Sequence, residues 1–353
     1  MGSLAPEILF ERRGSAGLVT LNRPQALNAI THGMVRALTA QLERWAADPA
    51  VTRVVVSGAG RAFSAGGDIR AAYELGRAGR QRNALPFWRD EYRLNALIKQ
   101  YPKRYVALID GIVMGGGAGL SVHGSHRVAG DKFLFAMPEV GIGFFPDVGA
   151  TWFLPRLPGQ VGTYCALTGE RLNAADGIAA TIATHRVASD RFPELRDALC
   201  NDAEIDGVLA RFAVPDETGT LLARRSAIDR LFPANTVEDI LAELDRESAT
   251  GSGDANFAAA TAAIIRTKSP TSLKLALAQM LAGAKLSFAA CMQTEFRIVS
   301  RIIYGNDFYE GVRAVIVDKD HAPRWRPAKL AEVTPEALER YFAPLGTDEL
   351  VLP

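Results

Sequence analysis

Short apolar, β-branched runs recur through the first half of the chain, at residues 17–21, 53–57, 105–109 and 133–137. Most end within a few residues at Gly, Pro or Asn, as buried strands do. Between the first two runs the period changes. Met34, Val35, Leu38, Leu42 and Trp45 recur at helical spacing over residues 31–47, behind Thr31, whose hydroxyl suits an N-cap. Strands alternating with helices predict an α/β fold with largely parallel pairing. After about residue 190 the strand pattern stops. Helices are expected over 193–200, 216–232, 237–246, 257–266, 271–282 and 287–304, with a mildly acidic loop and short helix over 202–215. These patterns divide the chain into an α/β core, 1–195, and a helical C-terminal region, 196–353. On the last of these helices Phe288, Met292, Phe296, Val299 and Ile303 form an apolar stripe. It serves either packing on the core or an oligomer contact.

Composition narrows the class. The 353 residues are 48% hydrophobic and 22% charged, as in an ordinary globular protein. A net charge of +1 provides no broad electrostatic footprint for nucleic acid. The apolar runs break well before the roughly 18 residues of a membrane span, so no membrane partner is expected. Cys165, Cys200 and Cys291 are far apart and odd in number, unlike a disulfide framework or a zinc site. Residues 1–6 have neither secretory nor transit character. Together these features predict a cytoplasmic protein.

Candidate chemistry is concentrated in three segments. Glu139 and Asp147 stand eight residues apart, each directly after a proline, around the apolar glycine-rich run 140–144. An acid in apolar surroundings has its pKa raised, and paired acids suit acid/base or nucleophilic hydrolysis. Asp147 alone also reads as a helix N-cap or first-turn residue. The second segment, GAGRAFSAGGDIR at 58–70, follows a predicted strand. Phe63 stands where a dinucleotide fingerprint needs its third glycine, and no P-loop Gly-Lys-Ser/Thr is present. Gly66 and Gly67 would instead let a backbone N–H approach a ligand closely. Ser64 has neither an elbow motif nor an evident His partner, so it is set aside as a nucleophile. The third segment, GGGAG at 115–119, either packs a short buried helix or presents N–H groups to an anion. His123 and His126 lack the spacing of a metal-binding helix and are read as structural, so no metal site is expected.

The segments SAGGDIR (64–70), MGGGAGLSV (114–122) and FAMPEVGIGFFPDVG (135–149) resemble the crotonase (enoyl-CoA hydratase/isomerase) superfamily. LNRPQALNA (21–29) resembles its early CoA-binding loop. DEYRLN (90–95), SPTSLK (269–274) and DFYEGVRAVIVDKDHAP (307–323) resemble its thioester-hydrolase branch. The resemblance implies a spiral of ββα units with a helical C-terminal region that often mediates assembly, so a homo-oligomer is one expectation. It implies a coenzyme A thioester as substrate and no separate cofactor. Carried over by position, Gly67 and Gly116 would form the oxyanion hole, with Glu139 and Asp147 as the catalytic acids. Glu91 would contact the substrate near a 3-hydroxyl, and Asp68, Ile69 and Arg70 would lie along the adenine and pantetheine end of CoA.

One departure matters. Hydratases of the superfamily carry a second glutamate two residues after the triple glycine, where this chain has Gly119. The expected reaction is therefore hydrolysis of a short 3-hydroxyacyl-CoA thioester, 3-hydroxyisobutyryl-CoA foremost, as in valine breakdown. Attack by Glu139 itself and activation of water by Glu139 both remain open. A hydratase or isomerase, and a non-catalytic CoA-binding subunit, are the competing readings.

Overall fold

The computed structural model describes residues 5–201, 204–215 and 219–352. A hairpin of β1 (Ile8–Arg13) and β2 (Ala16–Leu21) opens the chain, turning at Gly14 with φ +56°. Seven further strands follow: β3 (Arg53–Gly58), β4 (Ala62–Ser64), β5 (Arg104–Ile109), β6 (Ile112–Met114), β7 (His126–Ala129), β8 (Leu134–Ala136) and β9 (His185–Arg186). One sheet has the order β1-β2-β3-β5-β7-β9, the other β4-β6-β8. Among the described strand pairs only β1–β2 is antiparallel, while isolated antiparallel bridges join Phe135 to Leu172 and Val187 to Ala213.

Three successive strand pairs, β3-β4, β5-β6 and β7-β8, each place their first strand in the large sheet and their second in the small one. This is the repeating turn of a spiral. Because β4, β6 and β8 are parallel neighbours, their C-terminal ends lie side by side. The segments that leave those ends are α2 (Ile69–Arg77), α4 (Gly116–Gly119) and the 3-10 turn Glu139–Ile142. The candidate residues Gly67, Gly116 and Glu139 are thus gathered by topology at one edge.

The large sheet is covered on both faces, which explains the unbroken apolar run of β3. Val54 and Val56 face the main core, and Val55 faces a smaller cluster with Val106, Leu108, Leu195 and Leu199. Helix α1 (His32–Ala47) starts as expected, with the Thr31 hydroxyl accepting the Met34 N–H at 3.2 Å. Its five apolar side chains are all buried. Helix α3 (Leu85–Lys99) packs between α1 and the C-terminal helix Phe288–Ile302.

The C-terminal helices run Phe192–Asn201, Ile205–Phe212, Thr220–Leu231, Val237–Ser248, Ala255–Arg266, Pro270–Gly283 and Phe288–Ile302. Asp202 and Ala203 of the expected 202–215 segment, and positions 216–218 of the expected helix 216–232, lie outside the described residues. Residue 195 falls within the first of these helices. The main apolar core includes Phe135 of the α/β part together with Ile240, Phe296 and Phe308 of the helical part. On the expected stripe, Met292, Phe296, Val299 and Ile303 are buried, which decides for packing. Strands β1, β4, β6, β7 and β9 lay outside the predicted set.

Candidate active site

Two glycine loops meet in a cleft of about 580 Å³. Gly66 has φ +123° and Gly115 φ +47°, so both turns use backbone that side chains rarely adopt. A Cβ placed on Gly116 would lie 2.7 Å from Glu91 Oε1 and 3.2 Å from the Gly67 nitrogen. A Cβ on Gly115 would lie 3.2 Å from Glu139 Oε1. A side chain at either glycine would push Glu91, Glu139 or the facing loop aside, so these glycines mark a close approach at a site and not plain helix packing. Among the described residues, neither the Gly67 nor the Gly116 N–H donates to a loop or turn carbonyl.

Four buried carboxyl groups cluster here: Glu91, Glu139, Asp147 and Glu295. Glu139 heads the turn Glu139–Ile142, and its buried Oε2 has no hydrogen-bond partner among the described residues. Burial pushes the Glu139 carboxyl well above its usual range, and the charge of Asp147 adds to this. Burial likewise raises Glu91 strongly, with Asp147 and Glu295 adding repulsion. Asp147 is pushed up to about 7 by burial, against the opposing effect of the Tyr92 hydroxyl. That hydroxyl donates to Asp147 Oδ2 at 2.8 Å. The N-cap of the short helix Ala150–Phe153 is Gly149, so the Asp147 side chain is free of a capping role.

Residues of the C-terminal helices hold this turn from behind. Glu295 accepts the N–H groups of Gly149 and Thr151 at 2.8 and 2.9 Å. Gln279 donates to the Pro146 carbonyl at 3.0 Å. Neither residue was anticipated. Val315 and Ile316, which line the cleft from residues 313–317, were also missed.

The remaining candidates divide. Asp68, Ile69 and Arg70 line the same cleft. Asp68 also caps α2 through the Ala71 N–H and pairs with Arg23 at 3.3 Å, while Arg70 donates to the Ile316 carbonyl. Ser64 is fully buried and accepts the Gly66 N–H. His123 bonds the Val148 carbonyl at 2.7 Å, and burial lowers its pKa to about 4. His126 pairs with Asp206 at 2.8 Å. These three serve the scaffold.

The raised acids have a cost in stability. Asp147 moves from 3.8 to about 7 and Glu295 from 4.5 to about 8. The folded chain therefore holds protons that the unfolded chain has released, and stability falls as pH rises from about 4 towards 8. Asp147→Asn cannot ionise. It should raise Tm by about 2–4 °C at pH 8 and much less at pH 5 in scanning calorimetry. Equal shifts at both pH values would contradict the assigned shift.

The sequence model of the enoyl-CoA hydratase/isomerase family matches residues 16–342. The chain is 45% identical over 357 residues to "3-hydroxyisobutyryl-CoA hydrolase, mitochondrial" of Danio rerio, covering 98% of this chain and 92% of that protein. Identity to the Homo sapiens protein of the same name is 43%, covering 98% and 91%. Among solved structures, a carnitinyl-CoA dehydratase from Mycobacterium thermoresistibile superposes with a TM-score of 0.92 at 43% identity, covering 98% of each chain. An enoyl-CoA hydratase from Rhodobacter sphaeroides 2.4.1 gives 0.89 at 39% identity, covering 98% of this chain and 100% of that one. The curated relatives are named as mitochondrial enzymes, which corrects the expectation of a cytoplasmic location. Cys165, Cys200 and Cys291 are free and buried, and cysteine usage is not an address. With its strand pairs wound into two sheets and its glycine loops meeting over buried acids, the chain belongs to the enoyl-CoA hydratase/isomerase (crotonase) family.

Proposed function

We propose that this chain hydrolyses a short 3-hydroxyacyl-CoA thioester, 3-hydroxyisobutyryl-CoA foremost, to the hydroxy acid and CoA, a step of valine breakdown. The observation that carries this reading is a buried, unpartnered Glu139 beside the meeting point of two glycine amides. The thioester oxygen is held by the N–H groups of Gly67 and Gly116, which stabilise the charge that develops on it. In its ionised form Glu139 attacks the carbonyl carbon, giving an anhydride that water then cleaves to free the hydroxy acid and Glu139, or it takes a proton from a water that attacks directly. The C–S bond breaks, and Asp147, with a pKa near neutrality, supplies the proton to the departing thiolate. Glu91 holds the substrate hydroxyl. Asp68, Ile69 and Arg70 line the path of the CoA moiety, which is part of the substrate, and every step draws on residues of the chain.

The two similar structures, a carnitinyl-CoA dehydratase and an enoyl-CoA hydratase, favour a second reading, hydration or dehydration of an enoyl-CoA. Two-acid hydration needs a carboxylate where this chain has Gly119. A Cβ there would lie 2.7 Å from both Asn95 Nδ2 and Val148 Cβ, so the site has no room for one.

A panel of thioesters separates the readings. Thiol release should be fast from 3-hydroxyisobutyryl-CoA. Release from isobutyryl-CoA should have kcat/KM at least about 10²-fold lower, because a site built for a hydroxyl is left unpaired without it. Rapid loss of the enoyl absorbance of crotonyl-CoA, with no thiol released from any thioester, would establish the hydratase instead.

A further inference from the structure

The backbone after Asp147 does not hold its shape unaided. Val148 has φ +53° and Gly149 φ +91°. For a β-branched residue the left-handed region is a true outlier, and such strain persists only where the surroundings over-determine it. Here they do. Gln279 Nε2 spans the turn, donating to the Pro146 carbonyl upstream at 3.0 Å and to Thr151 Oγ1 downstream at 2.7 Å. Downstream, Glu295 uses both oxygens, Oε2 for the Gly149 N–H and Oε1 for the Thr151 N–H. Gln279 and Glu295 are fully buried on two different C-terminal helices, and neither is among the residues lining the cleft. Apolar side chains would fill those positions at lower desolvation cost. Gln279 Oε1 has no partner among the described residues, and every hydrogen bond described above for the two side chains goes to this one turn.

We propose that Gln279 and Glu295 are positioning residues that clamp the strained turn 146–149 from both sides and so aim the Asp147 carboxyl into the thioester site. The inference rests on the reading that Asp147 serves thiol release. The ionisable groups around Glu295 are Asp147 from the turn, Glu91 and Tyr92 from α3, and Cys291 on its own helix. Glu295 is itself raised to about 8 and carries little charge where Asp147 titrates. Releasing the turn instead lets water reach the Asp147 carboxyl, which favours its ionisation.

The test is a pair of double-mutant cycles on the full chain, using Glu295→Gln and Gln279→Met, each alone and with Asp147→Asn. Each single variant should lower kcat for 3-hydroxyisobutyryl-CoA by about 10–100-fold with KM within about threefold. In the Asp147→Asn background each should change kcat by less than about twofold, since the group they position is gone. Glu295→Gln should also move the Asp147 limb of the kcat–pH profile to lower pH. Wild-type kcat in the single variants, or losses that multiply with that of Asp147→Asn, would overturn the inference. If Glu295→Gln does not fold, the Gln279→Met cycle has the same two outcomes. If wild type hydrolyses no thioester, the hydrolase reading fails on its own. Infrared titration of the protonated Asp147 carboxyl, identified by its loss in Asp147→Asn, then decides: a lowered midpoint in a variant supports the clamp, and midpoints unchanged in both overturn it.

Discussion

Glu139→Gln is expected to lower kcat for thiol release from 3-hydroxyisobutyryl-CoA by about 10²–10⁴-fold. The substitution keeps the shape of the side chain and removes both the nucleophile and the base. KM should change by less than about threefold, because the glycine amides and the CoA path stay in place. The Glu139 carboxyl is buried, raised in pKa and missing a partner on Oε2, so the amide should fold at least as well as the acid. Steady-state kinetics beside a melting curve checks both points. A variant that unfolds normally and retains more than about a tenth of wild-type kcat would remove Glu139 from the mechanism.

Gly116→Ala should cost about 10²–10³-fold in kcat/KM, as loss of one oxyanion donor typically does. The added Cβ would stand 2.7 Å from Glu91 Oε1 and 3.2 Å from the Gly67 nitrogen. The first distance is shorter than carbon and oxygen tolerate, so the loop or Glu91 must shift, which disturbs the placement of the Gly116 amide beside that of Gly67. Gly33→Ala is the control: its Cβ meets only Thr31 Oγ1 at 3.7 Å, and Gly33 is not among the residues lining the cleft. It should keep wild-type rates and gain slight stability. Near-wild-type activity in Gly116→Ala would exclude its amide from the oxyanion hole.

Much of this was legible in the sequence, where the local pattern and the tertiary role agree. The Thr31 cap and apolar face of α1 were evident because one helix face meets one core. β3 was evident because both its faces are buried. β1 was not, since Ile8–Arg13 is an edge strand that keeps Glu11 and Arg12 in solvent. β4, β6, β7 and β9 are two to four residues long, too short to show a period. The division at 195 followed the end of the strand pattern, whereas the helices beyond it share the core of the sheets.

Glu139 and Asp147 stood out because proline, glycine and acid types coincide in one segment. Asp147 alone reads as a helix cap, and only Tyr92, 55 positions away, and Gly149 as the actual cap remove that reading. Glu91 was found through family resemblance. A direct signal existed, because Glu91 falls three residues from Trp88 and four from Asn95, on the buried face of α3. Glu295 has the same signature, one helical turn from Met292 and Val299 and adjacent to Phe296. Gln279 sits likewise between Ala276 and Gly283. A polar group on an apolar helical face marks a buried partner, and what it cannot show is a partner 128–146 positions away.

The most direct measurement is release of free CoA thiol from 3-hydroxyisobutyryl-CoA by the wild-type chain, run beside Glu139→Gln and Asp147→Asn. Rapid release by wild type, with 3-hydroxyisobutyrate as the second product and loss of activity in both variants, is the predicted result. No thiol release by the folded wild-type chain, or equal release by all three proteins, would contradict thioester hydrolysis at this site.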